Sequence, residues 1–115
     1  MPLVVCCARR FDVELLVYDK YKTSIENSVK NVSLKIIQEK CNIISFHVPY
    51  HLETHHFCDE HFITGCLKSP VIINTSRGAI IHTAAIISAL ENKKIKGLCT
   101  DVFEDEPITI NNIYT

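Results

Sequence analysis

The residues of this chain best suited to chemistry gather around one arginine. In Val71–Gly78, "VIINTSRG", a β-branched apolar run passes into Asn-Thr-Ser, then Arg77, then Gly78. Short apolar runs ending in turn chemistry read as buried strands of a parallel sheet. Whatever follows such a strand is delivered to its carboxyl end, where open α/β sheets bind ligands. Arg77 there offers a planar fork of donors that fits a carboxylate, and Gly78 frees the backbone to bend past a ligand. Taken alone, the octapeptide reads equally as a strand followed by an ordinary surface arginine.

Three further groups of polar residues bear on the same chemistry. Leu15–Asp19, "LLVYD", is a strand ending in an acid. "GLCTDVFEDEP" at Gly97–Pro107 places Asp101 on a strand and crowds Glu104, Asp105 and Glu106 before a proline; alone, that cluster reads as a solvated acidic turn. The histidines concentrate in "HLETHHFCDEH", His51–His61. On a helix His51 and His55 would share a face, with Cys58 and His61 nearby, but the spacing is not His-Glu-x-x-His. That segment reads as a polar helix-loop stretch, and no metal site is expected.

The positioning elements follow from periodicity. Strands are expected near 14–19, 43–48, 71–75 and 98–103, with a weaker one near 31–34. In "IISFHVP" Asn42 opens the strand and Pro49 ends it, since proline removes a ladder donor. His47 reads as a structural strand-end residue. A helix should end near Cys41, short helical turns should fill Thr54–Cys66, and Thr83–Asn92 should be a helix. Ile86, Ile87 and Leu90 would form its apolar face, and Lys93 and Lys94 suit its carboxyl end. Gly97 breaks the pattern before the last strand. Leu3–Phe11 fits either the tail of a helix (Leu3, Cys7 and Phe11 on one face) or, as "PLVVCC", a strand.

The alternation predicts a parallel α/β sheet. The 115 residues suit one domain, and 47% apolar with 22% charged residues is ordinary for a soluble globular protein. A net charge of −1 gives no electrostatic case for nucleic acid or an anionic membrane. No apolar run reaches the roughly 18 residues of a spanning helix. With no tripartite signal layout, a cytoplasmic location is expected. The six cysteines show no Cys-x-x-Cys spacing and read as reduced small hydrophobes.

Together, "LLVYD", "IISFHVP", "VIINTSRG" and "GLCTDVFEDEP" resemble, in order and spacing, the nucleotide-binding domain of the D-isomer-specific 2-hydroxyacid dehydrogenases, over Ala8–Pro107. The resemblance implies an oxidoreductase that moves hydride between a 2-hydroxy acid and NAD. It implies Arg77 as the cation for the substrate carboxylate and carbonyl, and Glu106 as the acid that orients a catalytic histidine. Asp19 would accept from the adenosine ribose hydroxyls, favouring NAD over NADP because a carboxylate repels a 2′-phosphate. Val48, Pro49 and Thr54 would line the path from ribose to nicotinamide, partly through backbone atoms. Thr75 and Ser76 join Arg77 among the cofactor-binding residues, and Asp101 would contact the nicotinamide carboxamide.

Two departures from the family pattern shape the expectation. The Gly-x-Gly-x-x-Gly loop normally lies about 20 residues before the ribose-binding acid. The three glycines here are Gly65, Gly78 and Gly97, none near the start. The family's catalytic histidine follows the "EP" in a Pro-His segment, and none of the six histidines stands there. Residues 1–115 are therefore expected to form a partial NAD-binding domain. Its fold is a Rossmann-like, doubly wound parallel sheet lacking the first strand, its Gly-rich loop and the substrate domain. The isolated chain is expected to be inactive, and exposed sheet edges to make it poorly soluble or homo-oligomeric. The alternative is a non-catalytic nucleotide-binding or protein-interaction module derived from this family.

Overall fold

The computed structural model describes residues 4–6, 14–19 and 30–103. Its elements are β1 (Val4–Cys6), β2 (Leu16–Tyr18), β3 (Lys30–Asn31), α1 (Leu34–Lys40), β4 (Ile43–Phe46), α2 (Glu60–Thr64), β5 (Val71–Asn74), a 3₁₀ turn (Gly78–Ile80), α3 (Thr83–Glu91) and β6 (Gly97–Thr100). The strands form one sheet in the order β3-β2-β1-β4-β5-β6. β4, β5 and β6 pair in parallel, as expected of "VIINTS" and "GLCT", and β2 pairs in parallel with β3. This is the strand order of a dinucleotide-binding sheet. No helix among the described residues is long and apolar enough to cross a membrane.

One strand departs from the parallel layout. β1 lies in the central slot and runs antiparallel to both neighbours, with Val4 opposite Tyr18 and Phe46. Of the two readings of Leu3–Phe11, the structure takes the strand for Val4–Cys6. Among the described residues the central slot holds β1, running antiparallel, rather than a parallel strand. An empty slot would leave the facing ladder groups of β2 and β4 unpaired, and any short β-prone segment within reach satisfies them in either direction.

Burial alternates along the parallel strands. Ile44 and Phe46 of β4 and Ile72 and Asn74 of β5 are buried, while Ile43, Ser45, Val71 and Ile73 are half-buried. One face is thus deeply covered and the other partly, less than the two-sided burial expected of a parallel sheet. Phe46 is fully buried, with ring centroids 6.0 Å from Phe57 and 5.6 Å from Phe62.

Local chemistry sets the helices. Ser33 caps α1, its hydroxyl accepting from the Ile36 N–H at 3.3 Å, and the helix stops at Cys41 as expected. Asp59 caps α2 by accepting from the Phe62 N–H at 2.9 Å. α2 ends at Gly65, where any Cβ would collide with the Gln38 carboxamide of α1. That bare position lets Gln38 donate to the Phe62 carbonyl at 2.9 Å, joining the two helices. On α3 the deeply buried residues are Ile86 and Ala89, while Ile87 and Leu90 are half-buried, so the core-facing stripe is shifted from the expected one.

The cysteines divide. Cys58, Cys66 and Cys99 are free, but Cys41, fully buried beside α1, is disulfide-bonded, contrary to the expectation of six reduced thiols. Its bonding partner lies outside the described side chains.

Candidate functional site

Because β2, β4, β5 and β6 point the same way, their carboxyl ends share one edge of the sheet. Asp19 follows β2 directly and is 6% exposed. Val48, buried, and Pro49, exposed, follow β4; exposed Thr75, half-buried Ser76 and exposed Arg77 follow β5. Asp101, exposed, follows β6. Seven of the sequence-predicted residues are thus brought to one edge. Glu106 lies outside the described residues.

The turn carrying Arg77 is built by Asn74, which the sequence reading did not single out. Asn74 is 1% exposed, the last inward-facing position of β5. Its Oδ1 accepts from the Ser76 N–H at 3.1 Å and its Nδ2 donates to the Arg77 carbonyl at 3.0 Å. A buried amide must satisfy both ends, and here both ends hold the turn. The signal was available: period-two alternation from Ile72 puts a polar residue in the core just where the strand stops. Arg77 itself is extended (φ −142°, ψ 143°), and its Nη1 donates to the Ser76 carbonyl at 2.9 Å. Gly78 opens the 3₁₀ turn, and no described glycine has positive φ.

Hydroxyls tie the neighbouring strand ends together. Ser76 Oγ donates to the Phe46 carbonyl at 2.7 Å and accepts from the Val48 N–H at 3.1 Å. Thr100 Oγ1 lies 3.1 Å from the Asn74 carbonyl and 2.7 Å from the Val102 carbonyl, so its single proton serves one of them at a time. The exits of β4, β5 and β6 are therefore cross-braced just before Val48, Arg77 and Asp101.

Thr54 is 3% exposed, and its hydroxyl is committed within its own loop. It accepts from the His51 N–H at 2.9 Å and donates to the Pro49 carbonyl at 2.8 Å. Its observed work is to fold the Pro49–Thr54 loop. His47, at the strand exit, lies 2.8 Å from Ser45 Oγ through its Nε2, in keeping with a structural residue.

The histidine-rich segment is a helix-loop stretch, as read from the sequence: 51–56 form a bend and turn rather than a regular helix, and His61 lies in α2. His56 adopts the left-handed region (φ 51°), donates its N–H to the Ala79 carbonyl at 2.8 Å, and stacks between His55 (3.9 Å) and His82 (4.6 Å). Cys58 pairs in parallel with Ile81, so the segment after β4 is zipped to the segment after β5. Among the described residues no three potential metal ligands converge. Two clefts border α2 and α3, lined by residues such as Asp59, Glu60, Ile63, His82 and Ser88, and they contain none of the edge residues above.

Comparison with known proteins identifies the family. Residues 3–114 match the family model described as D-isomer specific 2-hydroxyacid dehydrogenase, NAD binding domain. The chain is 40% identical over 104 residues to an erythronate-4-phosphate dehydrogenase of Bacteroides fragilis, covering 87% of this chain and 30% of that protein. It is 37% identical over 98 residues to D-lactate dehydrogenase of Escherichia coli, covering 84% and 30%. Among solved structures it is similar to an NAD-dependent formate dehydrogenase from Staphylococcus aureus in complex with NAD (TM-score 0.84, 26% identity, 90% of this chain and 32% of that one). It is also similar to D-lactate dehydrogenase from Aquifex aeolicus complexed with NAD and lactic acid (TM-score 0.72, 38% identity, 79% and 28%). The chain thus spans about 30% of the length of the curated relatives it matches. With the strand order and edge residues in place, the chain belongs to the D-isomer specific 2-hydroxyacid dehydrogenase family, as its NAD-binding domain.

Proposed function

We propose that this chain is the NAD-binding part of a dehydrogenase that moves hydride between a D-2-hydroxy acid and NAD. The observation that carries the reading is the convergence of Asp19, Val48–Pro49, Thr75–Arg77 and Asp101 on the carboxyl edge of four like-directed strands. NAD, when bound, supplies the hydride acceptor. Asp19 holds the ribose hydroxyls of its adenosine half, and Asp101 holds the carboxamide of its nicotinamide half. The backbone at Val48–Pro49 and the Thr75–Ser76 turn line the path between them, with Thr54 shaping the first of these. Arg77 binds the small substrate's carboxylate and polarises its carbonyl. Glu106 orients a proton-transferring histidine supplied elsewhere in the whole enzyme, and the isolated chain does not turn over. A cytoplasmic location goes with this reading.

The residues described fit the two ends of the dinucleotide better than its middle. A pyrophosphate is normally met by a helix N-terminus delivered after the central parallel strand. Here β1 runs the other way, so its amino end, Val4, stands at that edge. This one observation favours a second reading, a non-catalytic nucleotide-binding or interaction module.

A chimera separates the two readings. The chain would replace the matching segment of the E. coli D-lactate dehydrogenase, whose own flanking segments are kept. Under the first reading the chimera turns over a D-2-hydroxy acid with NAD. Arg77→Ala then lowers kcat/KM at least about a hundredfold, and Glu106→Gln weakens activity and narrows its pH range. A folded chimera without activity supports the second reading.

A further inference from the structure

The carboxyl ladder between β4 and β5 ends at the pair Phe46–Asn74. Beyond it one segment runs on to Val48 and Pro49 and the other to Arg77, past the end of the β4–β5 ladder. Hydrogen bonds outside the ladder tie these two segments together. Ser76 makes two of them with one hydroxyl, donating to the Phe46 carbonyl (2.7 Å) and accepting from the Val48 N–H (3.1 Å). It thereby continues the ladder by side chain where the backbone no longer reaches.

The same residue is anchored from behind. Its N–H donates to Asn74 Oδ1 (3.1 Å), while Asn74 Nδ2 donates to the Arg77 carbonyl (3.0 Å). Asn74 is itself 1% exposed and held in the core between neighbouring strands. A shift at Val48 is therefore passed through Ser76 and Asn74 to the Arg77 backbone. A hydroxyl carries one proton and two acceptor positions, and this one has already used the proton and one acceptor position.

We infer that Ser76 is a positioning residue: its hydroxyl sets the distance between the Val48–Pro49 backbone and Arg77, and its loss acts through those two neighbours rather than through a ligand contact of its own. This recasts Ser76 from a cofactor ligand to the brace that holds cofactor and substrate groups in one frame. The part that concerns affinity rests on the proposed NAD site; the part that concerns spacing does not.

Amide hydrogen exchange on the ¹⁵N-labelled 115-residue chain tests the spacing directly. Ser76→Ala should speed exchange at Val48 roughly five- to tenfold, the loss of one net hydrogen bond, and shift the Arg77 amide resonance. Ser76→Thr, which keeps the hydroxyl, should restore both. Should Ser76→Ala fail to fold, Ser76→Cys keeps the volume with a much weaker donor and is read the same way. NADH titration of the same proteins should show weaker binding for Ser76→Ala and recovery for Ser76→Thr. Weaker NADH binding with Val48 and Arg77 unmoved in the free protein would make Ser76 a direct ligand and overturn the inference. Unchanged Val48 exchange would overturn it as well. If the parent chain does not bind NADH, the proposed function fails, and the exchange result alone decides the role of Ser76.

Discussion

The carboxyl edge of β4–β6 and the central slot occupied by β1 are built by different rules. At the edge the exits of β4, β5 and β6 are tied to one another by specific side chains, Ser76 to Phe46 and Val48 and Thr100 to the Asn74 carbonyl, and Asn74 folds the β5 exit onto Arg77. In the slot a three-residue strand supplies backbone pairing to both neighbours, in the direction opposite to theirs. The edge therefore specifies geometry, whereas the slot satisfies only the demand that buried ladder groups be paired. A strand order characteristic of dinucleotide binding survives in both regions, but the direction needed to present a pyrophosphate survives in only one. Strand order and site competence are separable properties of this fold.

Breaking the well-built side should have the largest effect. Phe46 is fully buried against Phe57 and Phe62, so Phe46→Ala should cost about 3–5 kcal/mol. Against a typical domain stability of roughly 5–15 kcal/mol, that leaves little or no folded protein, as a urea melt would show. An intact melt would mean that the slot side, not the edge side, carries the stability.

A proline in the slot should do less and stay local. Val5 lies between Val17 and Ser45 in the ladder, and Val5→Pro removes its donor. We expect a loss of about 2 kcal/mol, with faster exchange in β2 and unchanged protection at Ile72 and Ile73 of β5. Global loss of protection would show that the two regions fold as one unit.

Alkaline pH adds a second probe of the β4–β6 half, which holds one buried thiol, Cys58, and one half-buried thiol, Cys66. Burial pushes the Cys66 thiol up to about 11. Cys58 is raised further, by burial first and then by the nearby Cys66 and Asp59. A thiol held protonated in the folded state stabilises it fully below the unfolded thiol value, near 8.5. That stability is lost as pH rises from there through the folded value. The melting temperature should therefore fall between about pH 9 and pH 11, with exposed Cys99 alkylated before Cys66 and Cys58. A flat profile would mean that both thiols open to solvent in the folded chain.

The parts of the molecule legible in the sequence are those where local pattern and tertiary role agree. "IISF", "VIIN" and "GLCT" became parallel strands because short β-rich runs bounded by turn chemistry have no better place than a sheet interior. The end of α1 at Cys41 and the extent of α3 followed equally directly. The direction of β1 was not legible, since Val4–Cys6 carries no residue that prefers one slot orientation over the other. The short helical turns of Thr54–Cys66 were legible, but the pairing of Cys58 with Ile81 that ties them to the segment after β5 was not. Arg77, Asp19 and Asp101 stand out by motif position and the structure puts them at strand ends, while Asn74, which builds the Arg77 turn, does not stand out. Its signal is a polar residue in an inward register, visible only once β5 is assigned.

On the proposed reading the chain holds the two ends of NAD but not its middle, and titrating NADH fluorescence with the purified chain reads this out. Weak binding is expected, with Kd of about 0.1–1 mM, weaker still for NADPH and abolished by Asp19→Ala. Sub-micromolar binding, or binding indifferent to Asp19, would contradict it.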